Sequence, residues 1–373
     1  MNHELGGTAA PAAPGGTPSA SSAPPMPERR PRRLGLELGV IGVVAVLLFA
    51  ALAAGGVTLY RELYSPTAFV LRYLDLLSDG RAADALAVPG VALDAAGLEA
   101  EGLSATASNA LLRSAALSSL TDVVGVSEEA SGDSTRVTVE YVAGGHRGTS
   151  TFEVAQDGWI GVVPSWTFAK SPLAVMDLVV TGSMRFAVNG FEVDKRQVSA
   201  NGVDADPLAA VPLLVFSPGI YSVDVDTQIS TTPGVAVLAD LPTAGIPVRI
   251  QAEATTEFVD VVQQRVEEFL ADCATQQVLQ PTGCPFGLTV QNRIISLPAW
   301  SIVQHPAISV TPDGAGWSIA QADAVARVEV QIRSLYDGSV RTVSEDVPFV
   351  INGSVEVLPD GTASIKVGGN RTS

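Results

Sequence analysis

The run from Leu34 to Tyr60, LGLELGVIGVVAVLLFAALAAGGVTLY, constrains this chain more than any other stretch. A spanning helix needs ~20 mostly apolar residues. From Val40 to Leu59 only Gly and Thr interrupt Val, Ile, Leu, Phe and Ala. Glu37 is the one charge, and it lies in the first turn, within reach of headgroups. Arg29, Arg30, Arg32 and Arg33 precede the run, while only Arg61 and Glu62 follow it directly. That cationic excess orients the N-terminus toward the cytoplasm. Tyr60 and Tyr64 suit an outer aromatic belt. The expectation is a transmembrane helix over 34–60 that contacts the lipid bilayer. The protein would then be a single-pass plasma-membrane protein, its C-terminal domains extracytoplasmic. The rival reading is a cleaved signal peptide, with Ala51-Leu52-Ala53 as a small-x-small site. The run is longer than the ~7–15 residues of an ordinary signal core.

The net charge of −17 is unevenly placed. Residues 1–33 hold four Arg against Glu4 and Glu28, a local +2, so the remainder carries −19. An acidic body of this kind does not seek nucleic acid. Both cysteines, Cys273 and Cys284, lie in the acidic part with ten residues between them. A disulfide stapling a small loop is the first reading, and free or metal-bound thiols the second. No His is near enough in sequence to complete a metal site around them.

Residues 1–33 are rich in Ala, Pro, Gly, Ser and Thr and cannot bury a core, so they read as a disordered cytoplasmic segment. Ser65-Pro66 opens a helix on which Phe69, Val70, Tyr73, Leu74 and Leu77 recur at helical spacing. Asn109 to Leu120 has helix-like apolar residues. Alternating strands follow over 136–142, 149–154 and 159–163. Ser171 to Ala252 reads as short strands separated by turns such as Asn189-Gly190 and Ser217-Pro218-Gly219. From Thr255 a capped helix returns with Phe258, Val259, Val262, Val266 and Phe269, then the cysteine loop and more strands. Phe69-Val70 and Phe258-Val259 stand 189 apart, and Arg136-Val137 and Arg327-Val328 stand 191 apart, as a duplicated unit would place them.

The fold expectation is therefore α+β. One N-terminal transmembrane helix precedes two helix-on-curved-antiparallel-sheet domains, 65–170 and 253–373. These flank a small all-β sandwich-like domain, 171–252.

Three stretches resemble an uncharacterised family of actinobacterial single-pass membrane proteins. They are SPLAVMDLVVTGSMRFAVNG from Ser171, FSPGIYSVDV from Phe216 and ADCATQQVLQPTGCPFGL from Ala271. The helix-plus-sheet units resemble NTF2-like or cystatin-like modules. The whole arrangement is similar to teicoplanin-resistance-associated membrane proteins of the cell envelope. The resemblance brings no reaction and no catalytic residue. Relatives of the teicoplanin-resistance type often begin with a zinc ribbon, and residues 1–33 contain no Cys to build one.

Chemistry is sparse. His3, His146 and His305 are the only histidines. They fall in an N-terminal low-complexity stretch, a hairpin turn and an extended segment. No Gly-x-Ser-x-Gly elbow, phosphate loop or dinucleotide loop is present. Glu128-Glu129 and Asp204/Asp206 lack calcium-loop spacing. No catalytic residue, metal ligand or cofactor is assigned. A helix on a curved sheet leaves a cone, and Trp159, Trp166, Trp300 and Trp317 either line such cones or fill the cores. The functional expectation is a non-catalytic, membrane-anchored binding, sensing or scaffolding protein of the bacterial cell envelope. Its partner would be an envelope protein or a wall polymer. The alternative is a small-molecule or lipid-binding protein using an apolar cone.

Overall fold

The computed structural model describes residues 39–50, 62–161, 163–358 and 363–371. The chain forms two compact units that divide between residues 58 and 59. Every strand among the described residues lies in the second.

The α+β class does not hold. Strands take 46% of the residues, so the molecule is mostly β-sheet, and one of its sheets forms a half-barrel. Patterning misleads here because two long helices with clear caps dominate the periodic signal, while many strands are short or carry exposed, polar faces.

The first core is built on helix α1 (Pro66–Ser78). Ser65 caps it by accepting from the Ala68 N–H at 3.1 Å, and Pro66 occupies the first turn, where no N–H is missed. The helix buries Phe69, Val70, Tyr73, Leu74 and Leu77. They meet an antiparallel meander of β1 (Leu120–Ser131), β2 (Ser134–Ala143), β3 (His146–Ile160) and β4 (Val163–Phe168). Phe168 lies between Phe69 and Tyr73, with ring centroids at 5.0 and 5.1 Å. Gly148 stands opposite Tyr141 on the neighbouring strand, and a Cβ there would meet the Tyr141 hydroxyl at 2.5 Å. The helix expected over Asn109 to Leu120 is absent. Only a 3-10 turn forms, Ser114–Ala116, and Leu111 and Ala116 are buried in the next core instead.

The middle of the chain forms two sheets. The first orders β12 (Gly245–Gln251), β5 (Leu173–Thr181) and β8 (Val211–Phe216), with β12 parallel to β5. The second orders β11 (Val235–Ala239), β9 (Gly219–Asp224), β6 (Arg185–Val188) and β7 (Phe191–Asp194). Strands β5 and β8 of the three-stranded sheet are apolar on both faces, while the edge strand β12 exposes Pro247, Arg249 and Gln251. Leu173, Val175, Leu214 and Phe216 enter the α1 core, while Ala174, Met176, Leu178, Leu213 and Val215 enter the core between the two middle sheets. This is the period-2 alternation of a strand with a core on each side, and it explains the near-continuous apolar runs LAVMDLVV and VPLLVF. A short ribbon of β10 (Ser230–Thr231) and β13 (Glu253–Ala254) leads into the last part.

Thr255 caps helix α2 (Thr256–Ala274), accepting from the Phe258 N–H at 3.2 Å. Six strands form its sheet. They are β14 (Arg293–Ile294), β15 (Ala299–Gln304), β16 (Val310–Asp313), β17 (Gly316–Arg333), β18 (Val340–Val357) and β19 (Ala363–Arg371). The 18-residue strands β17 and β18 form the central hairpin. A register shift between Ile319 and Ala322 marks a bulge, which strengthens local bending. β14, β15 and β16 all pair with successive parts of β17, whereas β2 lies between two neighbours only. The two helix-bearing parts thus differ in build.

The transmembrane helix expected over Leu34–Tyr60 is not found. No helix among the described residues is long and apolar enough to cross a membrane. Residues 39–50 of the run are helical. Residues 34–38 and 51–60 of that run, and Arg29, Arg30, Arg32 and Arg33, lie outside the described residues. The single-pass, plasma-membrane, N-terminus-inside placement loses its support with the helix.

Asp194, at the end of β7, caps the short helix Lys195–Val198. It accepts from the Arg196 N–H at 2.9 Å and from the Arg196 guanidinium at 2.9 and 2.6 Å. The guanidinium hydrogen bonds hold this carboxyl below the usual carboxylate range, against the upward push of burial. A depressed carboxyl stabilises the fold above its unfolded pKa, and that stability is lost as pH falls through the folded value. Asp194→Asn is expected to cost about 1–2 kcal/mol at neutral pH. Urea denaturation at pH 7 and again near pH 3 should show the gap from wild type closing at the acid end.

Candidate functional site

The candidate pocket lining expected from the sequence divides in two. Trp300 is 7% exposed, and its Nε1–H donates to the Val278 carbonyl at 2.8 Å. Trp317 is buried on β17, edge-on to Phe258 of α2 at 5.4 Å between centroids. Trp166 is half-buried on β4, and its Nε1–H donates to the Tyr64 carbonyl at 2.9 Å. Trp159 is different: it is 64% exposed at the end of the β3–β4 hairpin.

The cysteine loop contributes to the core under α2. Cys273, buried on the last turn of α2, is bonded to Cys284. Within the loop, the Gln276 carboxamide oxygen accepts from the Thr282 N–H at 2.9 Å, and the Leu288 N–H donates to the Leu279 carbonyl at 2.7 Å. Two residues beyond Cys284, Phe286 is 1% exposed. Its ring lies 4.9 Å from that of Trp300 and 5.2 Å from that of Phe349 on β18. The bridge ties the loop to the helix end, and the loop places Phe286 between α2 and the sheet. Where a cone would open, an aromatic stack stands. This placement was missed in the sequence, although an aromatic two residues after a bridging cysteine is a usable signal.

The ionisable groups do not gather. Among the described residues no three His, Cys, Asp or Glu side chains stand close enough to hold a metal ion. His146 and His305 are exposed. Glu128 accepts from the Thr67 hydroxyl at 2.8 Å, and Asp206 accepts from the Leu208 N–H at 2.9 Å. Lys195 is buried, and its Nζ donates to the carbonyls of Pro207, at 2.8 Å, and Ala209. Burial pushes its pKa down, with Asp206 opposing. Both acceptors are main-chain atoms of one loop, so the ammonium ties that loop to the short helix Lys195–Val198. Tyr73 and Tyr221 are buried, and burial raises both phenols well above their ordinary range. The Tyr221 hydroxyl donates to the Phe216 carbonyl at 2.9 Å.

The hairpin end at Trp159 is one surface available to a partner. Ile160 beside it is 72% exposed. Gly158 and Gly161 bracket the pair with φ of +80° and +65°, the left-handed region that lets the chain reverse there. The β3–β4 ladder carries a register shift between Gln156 and Trp159. The two apolar side chains therefore stand on a bent, ordered hairpin and not in a core.

Replacing both cysteines (Cys273→Ser with Cys284→Ser) is expected to lower stability by about 3 kcal/mol. It should also loosen Phe286 from Trp300, read as stronger acrylamide quenching of tryptophan emission at a denaturant concentration where the fold persists. Comparison of the chain with family models, curated proteins and solved structures finds no match.

Proposed function

We propose that this chain is a non-catalytic binding and scaffolding protein, in which a rigid β framework displays apolar hairpin ends to a macromolecular partner. The observation that carries this reading is the exposure of Trp159 and Ile160 at the end of strand β3. Large apolar side chains held out in water cost solvation free energy that burial against a partner would recover. Tryptophan is also the residue type that most often dominates interface energetics. An envelope protein or a wall polymer is the partner class that this surface would meet. The geometry gives less support to an apolar cone holding a small molecule, because Phe286 stands between Trp300 and Phe349.

Trp159→Ala together with Ile160→Ser should leave stability within about 0.5 kcal/mol, since neither side chain is in a core. A photo-crosslinking residue at position 159, in cells, should give a discrete adduct. The same residue at the exposed Val203 should not. No adduct at 159, or the same adducts at both positions, would reject the reading.

A further inference from the structure

The far end of the β17–β18 hairpin is a second exposed surface, and its chemistry differs from that of the Trp159 end. Residues 334–339 form an ordered turn. The Ser334 N–H donates to the Ser339 carbonyl at 2.9 Å, and the Gly338 N–H to the Ser334 carbonyl at 3.1 Å. The Ser334 hydroxyl accepts from the Tyr336 N–H at 3.2 Å, and Asp337 accepts from the Ser339 hydroxyl at 2.8 Å. The Leu335 N–H leans on the Asn292 side chain at 3.4 Å. This network uses the turn's polar groups and leaves Leu335 74% and Tyr336 100% exposed. Val340, just beyond the turn, is exposed as well.

Behind the tip stand three arginines. Arg293 on β14 is directly opposite Arg333 on β17, so both side chains share one face. Arg341 on β18 is opposite Ile332. All three are exposed, and no ion pair to any of them occurs among the described residues. Further along the same hairpin, Arg327 is matched to Asp346 at 2.6 and 2.8 Å, so carboxylate pairing is available to this sheet where it is used. Like charges directly opposite on a ladder are destabilising. Across 291–297 and 331–343 the charges are Arg293, Arg333 and Arg341 against Asp337, a net +2 on a chain of −17.

We propose that this hairpin end docks on the surface of a bilayer rich in anionic phospholipid. Leu335 and Tyr336 enter the boundary between headgroups and acyl chains, and Arg293, Arg333 and Arg341 meet the lipid phosphates. Two arguments favour a lipid surface over a protein. The local +2 around this tip suits a field of phosphates and needs no matched set of carboxylates. The tip is also convex and narrow. It offers a handful of side chains, where a standard protein interface takes about 20–30 residues a side. A bilayer accepts a protruding apolar pair without a preformed socket, and tyrosine is favoured at that depth. Contact of this kind needs no spanning helix. It does not rest on the partner assigned to Trp159, because it uses different residues.

The test uses the full chain with Leu335→Cys carrying an environment-sensitive dye, the native cysteines being bonded to each other. Vesicles of phosphatidylcholine with phosphatidylglycerol should brighten and blue-shift the dye, and vesicles of phosphatidylcholine alone should do so weakly. A dye at Val203→Cys should not respond. Arg293→Ser with Arg333→Ser should weaken the response by about fivefold per arginine removed. High salt should weaken it as well. Equal responses on the two vesicle types, an unchanged response in the arginine variant, or no response at position 335 would overturn the proposal. So would a dye signal that rises with protein concentration without vesicles, which would assign the tip to a second copy of the chain.

Discussion

The structure depends on a pair of neighbouring strands that serve two cores at once. β5 and β8 send alternate side chains into two different cores: Leu173 and Val175 one way, Ala174 and Met176 the other. Each core side chain so buried contributes on the order of 1.5–3 kcal/mol. A one-residue slip of β5 would exchange the two sets and mismatch both cores at once. Register here is therefore specified twice. The linking segment is held by the same wall. Ser108 donates its N–H to the Pro212 carbonyl and accepts from the Leu214 N–H, each at 2.9 Å, and Ser171 reaches the Val91 carbonyl at 2.6 Å.

The last part of the chain solves the opposite problem. The long strands β17 and β18 carry one helix across them, and the core between also draws on the loop after that helix. The chain answers with a loop that carries its own aromatic plug. The disulfide limits how far that loop can retreat from α2, and Phe286 gains Trp300 and Phe349 as neighbours. Covalent closure and aromatic packing act on the same few residues, so loss of either weakens the other.

These two solutions mark what could be read from sequence. Helix starts were legible because capping is local: Ser65-Pro66 and Thr255 act through atoms within three residues. Turn signals such as Asn189-Gly190 were legible for the same reason. β1 was not, because most of its residues are exposed and its apolar members Val124 and Val126 face water. The two-faced role of β5 was not, because a continuous apolar run does not say how many cores it serves. The class was misjudged since strand content lies in pairings between distant residues, such as β12 parallel to β5. At the candidate sites, the tryptophans were found by type, but only three-dimensional packing separated Trp159 from the other three.

Surface charge does little to hold the fold and more to decide what meets it. Pairs such as Arg81–Asp84 and Arg265–Glu268 are solvent-exposed and contribute at most a few tenths of a kcal/mol each. Stability rests on burial, and the surface is free to vary. Against that freedom, two facing arginines without carboxylates and two bare apolar hairpin ends are costs that the folded state alone does not recover. Each sits at the end of an ordered hairpin, not in a loose loop, so the backbone keeps them exposed. Features that cost the isolated protein and are held rigidly in place are the ones a partner would stabilise, and they lie at strand ends because the cores have claimed the rest.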